Sequence, residues 1–325
     1  MTFEPNEIAF TSSTIYRLAQ AVETHVQNRE LAARLRTLAV RIESQPYIGA
    51  SPGLSETASL AAGLNRFIGS LRHFGRKEHD ARVAADLREV LQATENALAL
   101  QARSTGAQRV AGLYVIVDPE HTNGRNVVDV ARAALKGGAS SIQYRDKVHT
   151  IGEQLPVAHE LRDLCEQYDA SFLVNDSASL ATSSGAHGLH LGQKDLPIYE
   201  ARRILYSSQF IGKSSALLEE AQTALSEGVD YIGVGAIFRT NTKTKIRFAG
   251  IETLRIVRQF VTDIPLVAIG GINLDNLDAV LGAGADSICV ITAVCMADDP
   301  EQAAAALVER LKAHQAAAAE GAGGV

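Results

Sequence analysis

Apolar side chains recur every three or four positions along the first hundred residues, at Ile15, Leu18, Ala19, Val22 and Val26 and again at Leu31, Leu35, Leu38 and Ile42. That period gathers them on one side of a helix. Gln45–Gly53 interrupts the pattern with two prolines and two glycines and reads as a loop. Helical spacing resumes over Ser55–Leu71 and again from about His79 to Leu100, so Thr11–Ala102 predicts a small all-helical bundle. His73, Arg76, Lys77 and His79 cluster between the last two helices, where a solvated turn accounts for them better than a phosphate contact. Ala102–Gln108, with Ser, Thr and Gly, reads as a short linker.

The pattern changes after Arg109. Eight short apolar runs follow: Gly112–Asp118, Ser141–Arg145, Phe172–Asn175, Gly188–Leu191, Phe210–Ser214, Tyr231–Gly235, Leu266–Gly270 and Ser287–Ile291. Amphipathic stretches separate them, among them Val127–Leu135, Leu155–Tyr168, Ala216–Ser226 and Leu254–Val261. Strand-like runs alternating with helices specify a parallel sheet, and eight repeats in roughly 200 residues predict a compact (β/α)8 TIM barrel. A doubly wound sheet is the alternative. It calls for a Gly-rich loop after the first strand, where this chain has Asp118-Pro119-Glu120-His121. The predicted organisation is an α/β barrel behind an all-α domain: residues 1–107 helical with the linker, 108–316 the barrel, and 317–325 a disordered Ala/Gly tail after a helix of about Glu301–Ala317.

Composition narrows the function. Hydrophobic residues make up 46% and charged residues 21%, as in ordinary globular proteins. A formal net charge of −6 argues against a nucleic-acid partner and confines any anion site to a local cluster. Met1–Gln20 lacks the apolar core of a secretory leader and no run reaches spanning length, which predicts a cytoplasmic protein without a membrane partner. Cys165, Cys289 and Cys295 sit singly among apolar neighbours and read as reduced core thiols.

Chemistry belongs at the C-terminal ends of the strands in a barrel. The second run ends in Gln143-Tyr144-Arg145-Asp146-Lys147. Alternation places Gln143, Arg145 and Lys147 on one face, an expensive group to bury unless it holds an anion. Val174-Asn175-Asp176 closes the third run and Gln193-Lys194-Asp195 follows the fourth; both aspartates read either as Mg²⁺ ligands or as helix caps. Lys213-Ser214-Ser215 ends the fifth. The sixth opens into Arg239-Thr240-Asn241-Thr242-Lys243, either an anion cradle or a solvated loop. Gly270-Gly271 after the seventh run and Ile291-Thr292 after the eighth have the form of a barrel phosphate site. His190, between Leu189 and Leu191, reads as structural rather than as a general base. The rim suits a substrate carrying a pyrophosphate and a second phosphate near Gly271.

These motifs resemble thiamine phosphate synthase over about Ala111–Lys312: Gln143–Lys147, Val174–Asp176, Gly188–Asp195, Gly235–Lys243 and Ile269–Ile272. The resemblance implies condensation of a hydroxymethylpyrimidine pyrophosphate with a thiazole phosphate, by departure of pyrophosphate before the thiazole nitrogen attacks. It implies that Gln143, Arg145, Lys147, Asn175 and Lys243 hold the pyrimidine pyrophosphate, with Ser214 beside it. Asp176 and Asp195 would ligate Mg²⁺, and Thr240, Thr242, Gly271, Ile291 and Thr292 would receive the thiazole phosphate. Two departures stand out: Ser215-Ala216-Leu217 where a polar residue is usual, and Lys194 where an acid is common. The helical region resembles the domain associated with hydroxymethylpyrimidine phosphate kinase activity, and we expect a docking or oligomerisation module with degenerate or absent kinase activity. A homo-oligomer fits this reading. The competing readings are a thiazole tautomerase, which would favour His where Ala216 stands, and a non-catalytic sensor of thiamine phosphates.

Overall fold

The computed structural model describes residues 15, 16, 18–20, 23, 29–42, 78–240 and 247–322. The chain divides into two compact units, Met1–Arg103 with Tyr206–Ser208, and Ser104–Leu205 with Gln209–Val325. The first is helical where described, with α1 at Arg29–Ile42 and α2 beginning at Glu78 and running to Gln108. Ile15, Leu18, Ala19, Leu31 and Leu35 are buried, as their spacing predicts. The expected loop at Gln45–Gly53 and helix at Ser55–Leu71 lie outside the described residues. No helix among the described residues is long and apolar enough to cross a membrane.

The second unit is a closed barrel of eight parallel strands in sequence order. Its strands are β1 Gly112–Val117, β2 Ser141–Tyr144, β3 Ser171–Asn175, β4 Gly188–Leu191, β5 Phe210–Ser215, β6 Tyr231–Gly235, β7 Leu266–Ile269 and β8 Ser287–Val290. Between and after them lie α3 Val127–Lys136, α4 Ile151–Gln167, α5 Ala178–Ser183, α6 Ile198–Ile204, α7 Leu218–Ser226, α8 Gly250–Phe260, α9 Leu277–Leu281, α10 Thr292–Cys295 and α11 Pro300–Ala322. Side chains alternate across each strand. Leu113, Val115, Ile142, Phe172 and Ile232 point outward into the layer shared with the helices. Tyr114, Leu173, Phe210, Tyr231, Val267 and Cys289 fill the interior.

Large interior rings need small residues opposite them. Gly212 pairs with Tyr231 across β5 and β6, and a Cβ there would stand 1.9 Å from Cζ of the ring. Gly188 makes the same room for Phe210, at 2.6 Å from Cε2.

Two expectations need correction. Ala102–Gln108 is the end of helix α2, not a linker. Gly106, counted there toward the linker, instead permits close approach: a Cβ there would lie 2.9 Å from Phe210 Cδ1, and Ala107 joins the interior cluster. The tail expected to be disordered from residue 317 remains helical through Ala322, in keeping with the high helix propensity of Ala316–Ala319.

The bottom of the barrel is latched by a repeated device. A side chain just before one strand accepts the backbone N–H near the start of the strand before it. His187 Nδ1 accepts from Phe172 at 2.8 Å, Asp230 from Ile211 at 2.7 Å and Asp286 from Leu266 at 2.8 Å. Arg202 pairs with Asp230, and Arg258 with Asp286. The opposite rim is thereby free to carry polar loops.

Candidate active site

Asp118 follows β1, is fully buried and accepts the Glu120 N–H at 3.0 Å. It forms an ion pair with Arg145, which leaves the end of β2 on the inward side. The next turn sends Lys147 to Asp176, at the end of β3. Asp146, between the two cations, faces elsewhere: it accepts the Tyr144 hydroxyl at 2.8 Å and the Val148 and His149 amides at 2.9 and 3.0 Å. Those bonds fold the turn so that Lys147 reaches the rim.

Asp176 adopts φ 62°, a left-handed conformation that Asp tolerates better than most residues, and its amide donates to His190 O at 2.8 Å. Asp195 accepts the Gly192 amide at 2.6 Å. Burial, followed by hydrogen bonding to Asp176, raises the Asp195 carboxyl above the usual range, while the Gly192 amide and Lys147 pull the other way. Asp195 has no ion pair of its own among the described residues. Two adjoining carboxylates, one of them lacking a cation, are disposed to accept a hard divalent ion. No group of three or more His, Cys, Asp or Glu side chains placed to hold a metal ion exists among the described residues, so the remaining ligands of such an ion would come from substrate phosphate or water.

Below this arc runs a chain of polar side chains through the barrel interior. Gln143 Nε2 donates to Tyr114 Oη at 2.6 Å; Tyr114 Oη lies 3.0 Å from Tyr231 Oη. Tyr231 Oη is 2.7 Å from His190 Nδ1, and His190 Nε2 is 2.8 Å from Ser214 Oγ. Gln143 is 1% exposed, and its Oε1 is buried without a partner. Gln193 closes the top by donating to Ser214 O at 2.6 Å.

On the other side of the rim, Gly270 and Gly271 take φ of 107° and 67° after β7. A Cβ on Gly271 would come 2.6 Å from Arg239 O, so the turn lies directly on the loop after β6. Asn276 holds it by donating to Gly271 O at 2.9 Å. Ile291 and Thr292 stand at the start of α10, with Thr292 exposed. Asn175 and Thr240 are half-buried. Thr242 and Lys243 lie outside the described residues.

The strands therefore carry Gln143, Arg145, Asn175, Asp176 and Ser214 to one rim, and the loops join Lys147 and Asp195 to it. The sequence reading missed Asp118, taken there only as evidence against a Gly-rich loop. It also left Tyr114 and Tyr231 in apolar runs. Their inward register was the available signal.

Residues 113–294 match the model of a family described as thiamine monophosphate synthase. A thiamine-phosphate synthase from Natronomonas pharaonis is 40% identical over 62% of this chain and 95% of its own length. One from Thermosynechococcus vestitus is 37% identical over 71% of this chain and 65% of its own, so the chain spans just under two thirds of that longer relative. Thiamine phosphate pyrophosphorylase from Pyrococcus furiosus superposes with a TM-score of 0.59 at 39% identity, covering 64% of this chain and 98% of that one. The chain belongs to the thiamine monophosphate synthase family.

Proposed function

We propose that this chain joins a hydroxymethylpyrimidine pyrophosphate to a thiazole phosphate, releasing thiamine phosphate and pyrophosphate. The observation that carries the reading is the arc Asp118–Arg145 and Lys147–Asp176–Asp195 on one barrel rim, two cations interleaved with carboxylates. Gln143, Arg145, Lys147, Asn175 and Lys243 hold the pyrimidine pyrophosphate in this scheme, and Ser214 lies beside it. Thr240, Thr242, Gly271, Ile291 and Thr292 receive the thiazole phosphate.

Asp176 and Asp195 are the residues that would hold Mg²⁺, and their oxygen donors suit it. When bound, it supplies neutralisation of charge on the departing pyrophosphate. The carbon–oxygen bond to pyrophosphate breaks with its electron pair leaving on oxygen, and the thiazole nitrogen lone pair then captures the pyrimidine methylene cation. Arg145 and Lys147 exchange their carboxylate partners for phosphate oxygens as the substrate enters. Ile269 and Ile291 pack on the interior cluster, an apolar lining that would keep water from the cation. No protein nucleophile is required. Burial raises the Cys165 thiol, and pushes that of Cys295 up to about 12, so neither supplies a thiolate near neutral pH.

Calorimetric titration of the aminopyrimidine pyrophosphate into the protein, with Mg²⁺ and with EDTA, tests the arc. Binding that requires Mg²⁺ is expected. Equally tight binding in EDTA would remove the metal from the reading.

A further inference from the structure

We propose that Gln143, Tyr114, Tyr231, His190 and Ser214 form a one-directional hydrogen-bond relay, in which a donor group recognised at Gln143 fixes the Ser214 hydroxyl as a donor to the substrate's pyrophosphate. Tyr114, Tyr231 and His190 are its positioning residues. The inference rests on the proposed condensation for the identity of the substrate.

The direction follows from counting hydrogens. Gln143 donates from Nε2 to Tyr114, 2.6 Å away. Tyr114 has a single hydroxyl hydrogen, and it passes on to Tyr231 at 3.0 Å. Tyr231 in turn donates to His190 Nδ1 at 2.7 Å. With Nδ1 accepting, the neutral ring carries its hydrogen on Nε2 and donates it to Ser214 Oγ at 2.8 Å. Ser214 then directs its own hydrogen away from His190, toward the rim.

Turning the Gln143 amide over reverses every link. Tyr114 would donate to Oε1, Tyr231 to Tyr114, His190 Nδ1 to Tyr231, and Ser214 to His190. Ser214 would then offer only lone pairs to an anion. The two states therefore present opposite hydrogen-bonding groups at the two ends of the chain.

Burial raises both tyrosine hydroxyls far above their ordinary range, so each keeps its hydrogen in either state. One observation favours the first. Gln143 Oε1 is buried with no partner, which leaves an acceptor aimed at an incoming donor. An aminopyrimidine carries N–H donors and its pyrophosphate needs one, so the two ends of the relay complement the two ends of one substrate.

The test measures kcat/KM for the aminopyrimidine pyrophosphate in Tyr231→Phe, Tyr114→Phe, Ser214→Ala and the doubles Tyr231→Phe/Ser214→Ala and Tyr114→Phe/Ser214→Ala. The phenylalanines keep the packed rings and remove one link each. Each single variant is expected to lose about tenfold or more, the scale of one hydrogen bond to a charged group. Each double is expected to match Ser214→Ala alone, because a relay already severed at its end has nothing further to lose. Multiplicative losses in the doubles, or tyrosine variants with wild-type kcat/KM, would overturn the relay. The second tyrosine repeats the cycle if the first variant folds poorly. Should the wild type bind the pyrophosphate substrate yet form no product, the condensation reading fails separately, and the same cycle is read from calorimetric affinities.

Discussion

At Gly212 the ring of Tyr231 already occupies the space a side chain would need, with Cζ 1.9 Å from the position of a Cβ. Gly212→Ala must push the ring or the strand aside. A stability loss of about 1–3 kcal/mol is expected, the range for an overpacked core, read from urea unfolding. An unchanged midpoint would mean that the interior is looser than its geometry. At the rim, Asp176→Asn and Asp195→Asn should each lower turnover about 100-fold or more, given the several kcal/mol a catalytic metal contributes. Full activity in both variants would exclude them as ligands. Residues of this kind were legible because polar groups at a strand end contradict the apolar run before them. Asp118 and the Tyr114–Tyr231 pair were not, since the tyrosines are 117 positions apart and meet only through barrel closure.

Each strand boundary was legible to within a residue, because apolar runs bounded by Gly and polar residues suffice for buried parallel strands. Short helices such as α5, α9 and α10 offered too few turns for a period to emerge. The latches at the strand starts were invisible for another reason: His187, Asp230 and Asp286 do the same job with different chemistry. Only one of them is an imidazole. Burial, then the charge of Arg162, holds His187 below its ordinary 6.5, with Glu166 opposing. The unfolded chain takes up a proton as the pH falls below that value while the folded barrel resists it, so stability present above it is lost on acidification. The thermal midpoint should drop more steeply as the pH falls below about 6.5 in the wild type than in His187→Asn, which keeps an acceptor at the Nδ1 position. Parallel curves would show that the latch does not sense pH. Asp230→Ala strands the Ile211 amide and leaves Arg202 only its backbone carbonyl partners at the face opposite the active site. It should cost about 1–3 kcal/mol of stability and leave kcat/KM unchanged at 25 °C, whereas a loss of kcat/KM would mean the two faces are not independent.

For the whole molecule, alternating strands and helices sufficed to predict the barrel, and the family match over residues 113–294 falls within it. The helical region before it lies outside that match, and its docking or oligomerisation role remains an expectation from sequence. The helix over Ala102–Gln108 was missed, because Gly106 was counted toward a linker when its lack of a side chain serves a contact with Phe210. The most direct test of the proposed condensation is a single incubation. Purified full-length protein with the aminopyrimidine pyrophosphate, the thiazole phosphate and Mg²⁺ should yield thiamine phosphate and pyrophosphate in equal amounts, each dependent on both substrates. Binding of both substrates without any thiamine phosphate would contradict the synthase account.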